Sequence, residues 1–341
     1  MKEPTIRQLE VFSAVARTLS FSKAAAELRV TQPAVSLQVR QLETIAGMPL
    51  FERIGRKLSL TEAGREILYG AAEVEKVLRS MRENVDALAG RRTGTLRLGT
   101  VSTAKYFAPS LVAIFSAEQP EITVRFNVDT VAEILAQLAS GEIDIGIVGR
   151  APPSALTIVE SFAPHPYSIF AHPAHPLAKR RKVLTEELMG ERILARKPGC
   201  ATRMLMDAFF DDHGVVYNAT MQSNSNETIK QAIIAGMGIG FLSMHTASLE
   251  IATRRLVPLD IEDLPLLSDW YLIYLRDRRL PPVAAAFREF LLKRSQAIIV
   301  NVTCISPDTY RRSSRAGIVH TQRLARKVEA RLRPDAMSIR S

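Results

Sequence analysis

The stretch TQPAVSLQVRQLE, Thr31 to Glu43, concentrates hydrogen-bonding groups at helical spacing. Gln32, Ser36, Gln38, Arg40 and Gln41 offer amide, hydroxyl and guanidinium groups, the chemistry that pairs with base edges in a DNA major groove. Pro33 and Ala34 can touch thymine methyl groups, and Thr31 is placed to cap the helix. A second cationic group follows in PLFERIGRKLSLTEAG, where Arg53, Arg56 and Lys57 surround Gly55. Cations in a short turn suit phosphate contacts, which add affinity more than sequence choice.

A third set lies where strands give way to helices. Ser102, Thr103 and Lys105 follow the run TLRLGTV, Thr130 follows ITVRFNV, and Gly149 and Arg150 follow IDIGIV. Further on come Lys197, Pro198, Gly199, Cys200, Ala201, Thr202 and Arg203, then Asn224, Ser225 and Asn226. Ligands of open α/β sheets bind beyond the carboxyl ends of strands, often at helix N-termini. Hydroxyls, free backbone N–H groups and cations gathered there imply a small anion, a carboxylate or a phosphate ester. Each Ser or Thr taken singly is an ordinary helix cap; the repetition of the position carries the reading.

Catalytic and metal chemistry find no comparable set. His165, His172 and His175 are spaced like ligands but lie among four prolines, with no carboxylate or thiol near them in sequence. Cys200 and Cys304 lie more than a hundred residues apart and are read as unpaired thiols in a reducing compartment. The sequence lacks a GxSxG elbow and a P-loop, and GMGIG is a helix-to-strand turn. No catalytic residue, metal or cofactor is therefore expected.

These groups need elements to hold them. Three short helices fit Thr5 to Ala46: IRQLEVFSAVART, then KAAAELRV with Ser20 or Ser22 as cap, then the helix at Thr31 with Ala34, Val35, Val39 and Leu42 facing inward. A hairpin carrying the basic turn follows, the winged form of a helix-turn-helix. The next helix reaches Gly90, with Ile67, Ala71, Val74, Leu78, Met81, Val85 and Leu88 at alternating spacings of four and three. A heptad seam of that kind predicts pairing with the helix of a second chain. From Gly94, strands alternate with helices, which predicts parallel sheets in two α/β lobes. The chain of 341 residues thus divides into 1–61, 62–92, 93–300 and 301–341, with one lobe at about 93–165 and 268–300 and the other at about 166–267.

Charge follows the same division. Residues 1–93 carry a net +4, residues 94–300 a net of zero and residues 301–341 a net +6, within a formal total of +10. Basic ends on a neutral body point to a polyanion partner at the ends. The Arg-rich stretch from Asn301 to Ser341 lacks periodicity and is expected to be disordered. The N-terminus shows no export signal and no apolar run is long enough to span a membrane, so a cytoplasmic protein is expected.

FSAVARTLSFSKAAAELRVTQPAVSLQVRQLE with PLFERIGRKLSLTEAG closely resembles the N-terminus of LysR-type transcriptional regulators. The resemblance runs to about residue 300. It implies a winged helix-turn-helix, a dimerising linker helix and a two-lobed effector domain like the periplasmic binding proteins. It also implies a homodimer or homotetramer on promoter DNA, whose bend changes with effector. VSTAKYFAPSLVAIF and SNSNETIKQAIIAGMGIGFLSMHT are similar to the regulators of CO2-fixation (Calvin-cycle, RuBisCO) operons. That similarity implies activation in response to phosphorylated metabolites or NADPH, a plain carboxylate effector being the alternative. An enzyme or transport-type binding protein, and a purely architectural DNA binder, are the rival classes.

Overall fold

The computed structural model describes residues 3–55, 57–89 and 93–308. The chain separates into two compact units, Met1–Thr93 with Ala139–Glu142, and Gly94–Leu138 with Ile143–Ser341.

In the first unit, α1 (Ile6–Thr18), α2 (Phe21–Leu28) and α3 (Gln32–Ala46) precede the hairpin β1 (Phe51–Ile54) and β2 (Lys57–Leu60), and α4 (Glu62–Leu88) ends it. Thr5 and Gln8 cap α1 reciprocally, Gln8 N–H donating to Thr5 Oγ1 at 3.2 Å and Thr5 N–H to Gln8 Oε1 at 2.9 Å. Ser20, not Ser22, caps α2 by accepting from Lys23 N–H at 3.3 Å. Thr31 occupies the cap position of α3 without a side-chain hydrogen bond, and Pro33 lies in the first turn where no N–H is needed. Phe12, Val15, Val35, Val39, Leu42 and Leu50 are buried, and Phe51 lies against Phe12 with ring centroids 5.2 Å apart. Each such side chain contributes roughly 1.5–3 kcal/mol on burial, which fixes α3 against α1.

Two expectations change here. Ala34 faces solvent rather than the core. The heptad seam is divided: Ile67 packs into the core around Phe12, Leu42 and Leu50, and Ala71 is buried, whereas Val74, Met81, Val85 and Leu88 are exposed. The first turns of α4 therefore spend their apolar face within the unit, and only the later turns leave one exposed. The expected helix end at Gly90 lies outside the described residues.

The second unit holds one mixed sheet, in the order β4-β3-β5-β11-β6-β9-β7-β8, with β10 (Val257–Pro258) pairing β6. One parallel trio comprises β3 (Gly94–Val101), β4 (Ile122–Asp129) and β5 (Ile145–Val148). The other comprises β7 (Ile193–Arg196), β8 (Ala219–Ser223) and β9 (Ile239–Ser243). Two long antiparallel strands, β6 (Thr157–Ala171) and β11 (Leu266–Leu275), run through both lobes, so the expectation of purely parallel sheets is corrected. Pro164 and Pro166, which look like loop residues in the sequence, lie inside β6. Along that stretch β6 ladders with β11, and on its other side the Pro166 carbonyl accepts from Met244 N–H at 2.9 Å, a setting that asks for no proline N–H.

Helices α5 (Ala108–Glu118), α6 (Val131–Ser140), α7 (Ala201–Asp212), α8 (Asn226–Ile234), α9 (Ser248–Ala252) and α10 (Pro282–Thr303) complete the unit. The helix expected to start at Ser102 is interrupted: a 3₁₀ turn covers Ala104–Tyr106, and α5 begins afresh with Pro109 in its first turn. Phe107, Leu111, Phe115, Phe287 and Leu291 form the core of one lobe, and Phe209, Phe210, Phe241 and Leu266 that of the other. The basic stretch at 301–341 is structured at its start, since α10 continues to Thr303 and Ile305 is buried beside Phe170, Ile229 and Leu242. Residues 309–341 lie outside the described residues.

Candidate nucleic-acid interface and effector cleft

On α3 the exposed face carries Gln32, Pro33, Ala34, Leu37, Arg40 and Gln41, while Ser36 and Gln38 are half-buried. Gln32 Nε2 donates to Ser36 Oγ at 3.2 Å, and Gln8 Nε2 donates to Gln41 Oε1 at 3.2 Å. Both pairs hold their amides in fixed orientations before any DNA arrives, which lowers the entropy lost on contact. Arg40 has no ion pair among the described residues and its guanidinium is exposed, the arrangement that can grip a guanine edge through two N–H donors. The wing turn is made by Gly55 at φ +64°, between Arg53 and Lys57, both exposed. Arg56 lies outside the described residues. A polar helix beside a cationic hairpin can read bases with one and follow phosphates with the other.

In the second unit a cleft of about 620 Å³ opens at the carboxyl ends of β3, β4, β5 and β7. Ser102, Thr103, Thr130, Gly149 and Arg150 line it from one lobe. Lys197, Pro198, Gly199, Cys200, Ala201, Thr202 and Asn224 line it from the other. The structure thus gathers most of the set chosen from the sequence. Four members lie elsewhere, among them Ser225, which caps α8 by accepting from Thr228 N–H at 3.2 Å. Lys105 is exposed, its Nζ 5.2 Å from the Tyr106 ring. Arg203 donates to Asp207 Oδ1 at 2.8 Å and to the carbonyl of Arg196 at 3.1 Å, bracing β7 from outside the cleft. Asn226 is buried behind the wall and accepts from Arg196 Nη1.

The residue overlooked in the sequence is Arg196, the last residue of β7. It is buried, at 6% exposure, yet it lines the cleft. Nothing local marks it, because its partners are Ser223, Asn224 and Asn226, some thirty residues on. Asp129 and Glu133 also line the cleft unannounced. Asp129 accepts from Gln137 Nε2 at 2.8 Å. Glu133 accepts from the Thr130 N–H at 2.8 Å and its hydroxyl at 2.7 Å, and these two bonds hold its carboxyl below the usual range.

Under the cleft floor the two long strands carry a buried ring stack. His165 lies 3.7 Å from Trp270 by ring centroid, and its Nε2 is 2.9 Å from Ser243 Oγ. Trp270 Nε1 donates to His245 Nδ1 at 3.1 Å. Burial and mutual repulsion push His165 well below its ordinary value, and burial alone lowers His245 to about 3, so both stay neutral. Gly149 has no room for a side chain, since a Cβ would meet the His165 ring at 3.0 Å. Tyr167 links this layer to the cleft, its hydroxyl 3.2 Å from His165 Nδ1 and hydrogen-bonded to Thr202, with burial pushing its pKa up so that it stays protonated.

At another point between the lobes Tyr106 Oη donates to Glu227 Oε2 at 3.4 Å, and Lys230 Nζ lies 4.8 Å from the Tyr106 ring. Among the described residues no group of three or more His, Cys, Asp or Glu is arranged to hold a metal. His175 pairs with Glu191 at 3.4 Å, while His172 Nδ1 accepts from Ala174 N–H at 3.1 Å. Cys200 and Cys304 are free thiols. No helix among the described residues is long and apolar enough to cross a membrane.

A helix-turn-helix with a basic wing, followed by a two-lobed α/β unit whose cleft carries hydroxyls and cations on a largely apolar lining, defines a ligand-responsive DNA-binding protein. Residues 6–65 match the bacterial regulatory helix-turn-helix proteins of the lysR family, and residues 89–296 match the LysR substrate binding domain. The chain belongs to the LysR family of transcriptional regulators. It is 46% identical over 286 residues to the HTH-type transcriptional regulator CbbR of Rhodospirillum rubrum, covering 84% of this chain and 95% of that protein. It is 42% identical over 291 residues to the RuBisCO operon transcriptional regulator of Allochromatium vinosum, covering 85% and 96%. It is 40% identical to the HTH-type transcriptional activator CmpR of Synechocystis, covering 88% and 99%. The CcmR regulatory domain of Synechocystis, solved with 2-PG, is 34% identical with a TM-score of 0.56 over 59% of this chain and 96% of that domain. Full-length CbnR on its target DNA has the same fold, at 23% identity and a TM-score of 0.64 over 84% of this chain and 98% of that one. The family and these relatives are regulators rather than enzymes.

Proposed function

We propose that this regulator activates a metabolic operon, that of CO2 fixation, when a small phosphorylated metabolite binds between its lobes. The observation that carries the reading is the cleft itself: about 620 Å³, hydroxyl-lined, with Arg150, Arg196 and Lys197 as its cations. The cavity suits a metabolite of a few carbons, and the cations favour an anion. Identity of 42–46% to regulators of that class supports the operon, and the activator named among the relatives supports the sign. In this reading residues 1–61 bind DNA, residues 62–92 dimerise and residues 93–300 bind effector in the cytoplasm.

The mechanism follows from the geometry. Gln32, Ser36 and Arg40 face base edges, with Gln38 and Gln41 at the margins and Pro33, Ala34 and Leu37 against thymine methyls. Arg53 and Lys57 follow phosphates. The exposed later turns of α4 pair with a second chain, so that two α3 helices meet two half-sites. An effector that contacts both cleft walls favours the arrangement in which they approach. That preference shifts the subunits between two states and alters the DNA bend.

Thermal stability in the presence of candidate ligands tests the reading. The panel comprises ribulose bisphosphate, phosphoenolpyruvate, phosphoglycolate, NADPH, and aromatic and aliphatic carboxylates. The true effector at a hundred times its Kd adds about 2.7 kcal/mol, a visible rise in melting temperature. A rise with a phosphorylated compound is the expected result. A rise with plain carboxylates alone would move the protein to another branch of the family.

A further inference from the structure

The 3₁₀ turn Ala104–Tyr106 takes the place of the helix expected after β3, and it sends two adjacent rings to different places. Phe107 is fully buried, its ring centroid 4.9 Å from that of Trp270 and 5.9 Å from that of His245. Tyr106 stays half-buried and reaches the other lobe. There its ring lies 4.8 Å from Lys230 Nζ, and its hydroxyl donates to Glu227 Oε2 at 3.4 Å.

Lys230 is 3% exposed, with Nζ 3.0 Å from Glu227 Oε2 and 2.9 Å from Glu250 Oε1. Glu250, on α9, is buried as well, and its Oε2 has no hydrogen-bond partner among the described residues. Two carboxylates around one ammonium leave an excess of negative charge, and the Tyr106 hydroxyl is a neutral donor to it. Burial, with the Glu227 carboxylate adding to it, pushes the Tyr106 pKa up, so the hydroxyl remains protonated. A desolvated ammonium against an aromatic face is the stronger form of cation–π contact, whereas a hydroxyl bond of 3.4 Å is long. The ring therefore carries more of the contact than the hydroxyl does. Lys105 Nζ, 5.2 Å from the same ring, is solvated and adds little.

The place of this contact gives it a consequence. Ser102 and Thr103 line the cleft just before Tyr106, and Asn224 lines it just before Glu227, while Tyr106, Glu227, Lys230 and Glu250 do not line it. Moving the lobes apart withdraws the ring from the ammonium. The pairs of Lys230 with Glu227 and Glu250 lie wholly within one lobe and survive that motion. We infer that Tyr106 is an interlobe latch, whose ring on Lys230 holds the cleft walls in their approached arrangement and so sets the effector concentration at which the regulator responds. A latch raises the fraction of molecules already in the binding arrangement, and apparent affinity follows that fraction. This rests on the reading of the cleft as the effector site, whichever anion fills it.

Two variants of the full chain test it: Tyr106→Phe keeps the ring and removes the hydroxyl, and Tyr106→Leu keeps apolar bulk and removes the ring. Melting curves establish that both fold. Amide hydrogen exchange without ligand then reads the walls that Tyr106 does not touch, residues 130–133 and 197–202. Tyr106→Leu speeds exchange there while β3 and β9 stay as in the wild type, and Tyr106→Phe exchanges like the wild type. Faster exchange confined to residues 104–107 would mean that the ring anchors only its own turn, and would overturn the latch. Calorimetric titration with 2-phosphoglycolate reads the threshold. Tyr106→Leu weakens binding by roughly twofold to thirtyfold, the range of a cation–π contact, and Tyr106→Phe by less. Unchanged affinity in Tyr106→Leu, or equal losses in the two variants, would overturn the role of the ring. A wild type that binds no 2-phosphoglycolate would overturn the phosphate reading of the cleft, and the exchange result alone then upholds or overturns the latch.

Discussion

On the proposed function the DNA-reading unit and the cleft both meet anions, and they do so by opposite physics. Arg40, Arg53 and Lys57 are exposed and solvated, so each contact is weak, screened by salt and effective through number. Among the cations of the cleft, Arg196 is the buried one, oriented by three fixed acceptors. Its interaction is shielded from salt and depends on geometry. A surface that must find a polymer and slide along it gains from many reversible contacts. A cleft that must distinguish one small anion gains from one contact that is set in advance.

Salt should separate the two regions most strongly. Two phosphate-following cations, Arg53 and Lys57, from each of two subunits neutralise about four phosphates, so raising salt from about 50 to about 200 mM lowers DNA affinity roughly a hundredfold. Effector affinity should change only severalfold over that range. Anisotropy titrations with labelled operator and calorimetry with effector would measure both, and equal slopes would erase the contrast.

A smaller effect comes with acid. His165 and His245 are held neutral in the fold, with depressed ionisation, while an unfolded chain titrates them near pH 6.5. Above that pH they contribute no pH dependence. As pH falls below it the unfolded state takes up protons that the native state refuses, so stability is lost, for His245 down to about pH 3. At pH 5.5 the loss is about 1.4 kcal/mol per histidine, or about 3 kcal/mol together. The first unit contains no histidine and should be spared. Trp270, the chain's one tryptophan, lies within this histidine cluster, so its fluorescence melting curve reports the second unit alone. An acid shift shared by both units would deny the assignment.

The smallest effect sharpens the DNA-reading side. Pro33, Ala34 and Leu37 form an apolar strip on the exposed face of α3. Replacing a contacted thymine by uracil removes one methyl and no hydrogen bond, and should cost about 0.8 kcal/mol. Operators with uracil at single positions would map the contact, and indifference at every position would assign reading to the polar groups alone.

Legibility in the sequence followed the range of the interactions. The register of α3, its proline and the wing turn depend on neighbours within a few residues and are readable from the pattern in TQPAVSLQVRQLE and RIGRK. The cleft was half legible. Ser102, Thr103, Thr130 and the loop at Gly199 follow from the rule that sites lie beyond strand ends. Arg196 did not, because a strand residue acquires its meaning from Asn226, thirty positions away. Arg203 was misplaced for the same reason, since Asp207 and the Arg196 carbonyl already hold it. The heptad seam of α4 is written continuously, but only the fold reveals that Ile67 and Ala71 are spent on their own core.

The sharing of β6 and β11 by both lobes bears on how such proteins diversify. A chimaera that borrowed one lobe from a relative would have to splice both strands in the middle of a ten-residue ladder. It would also separate His165 from Ser243 and Trp270 from His245. The boundary near Thr93 and Gly94 cuts no strand pairing of either unit. Whole effector units can therefore be traded between DNA-reading heads, whereas a new ligand preference within one unit has to be reached by point substitution on the cleft walls.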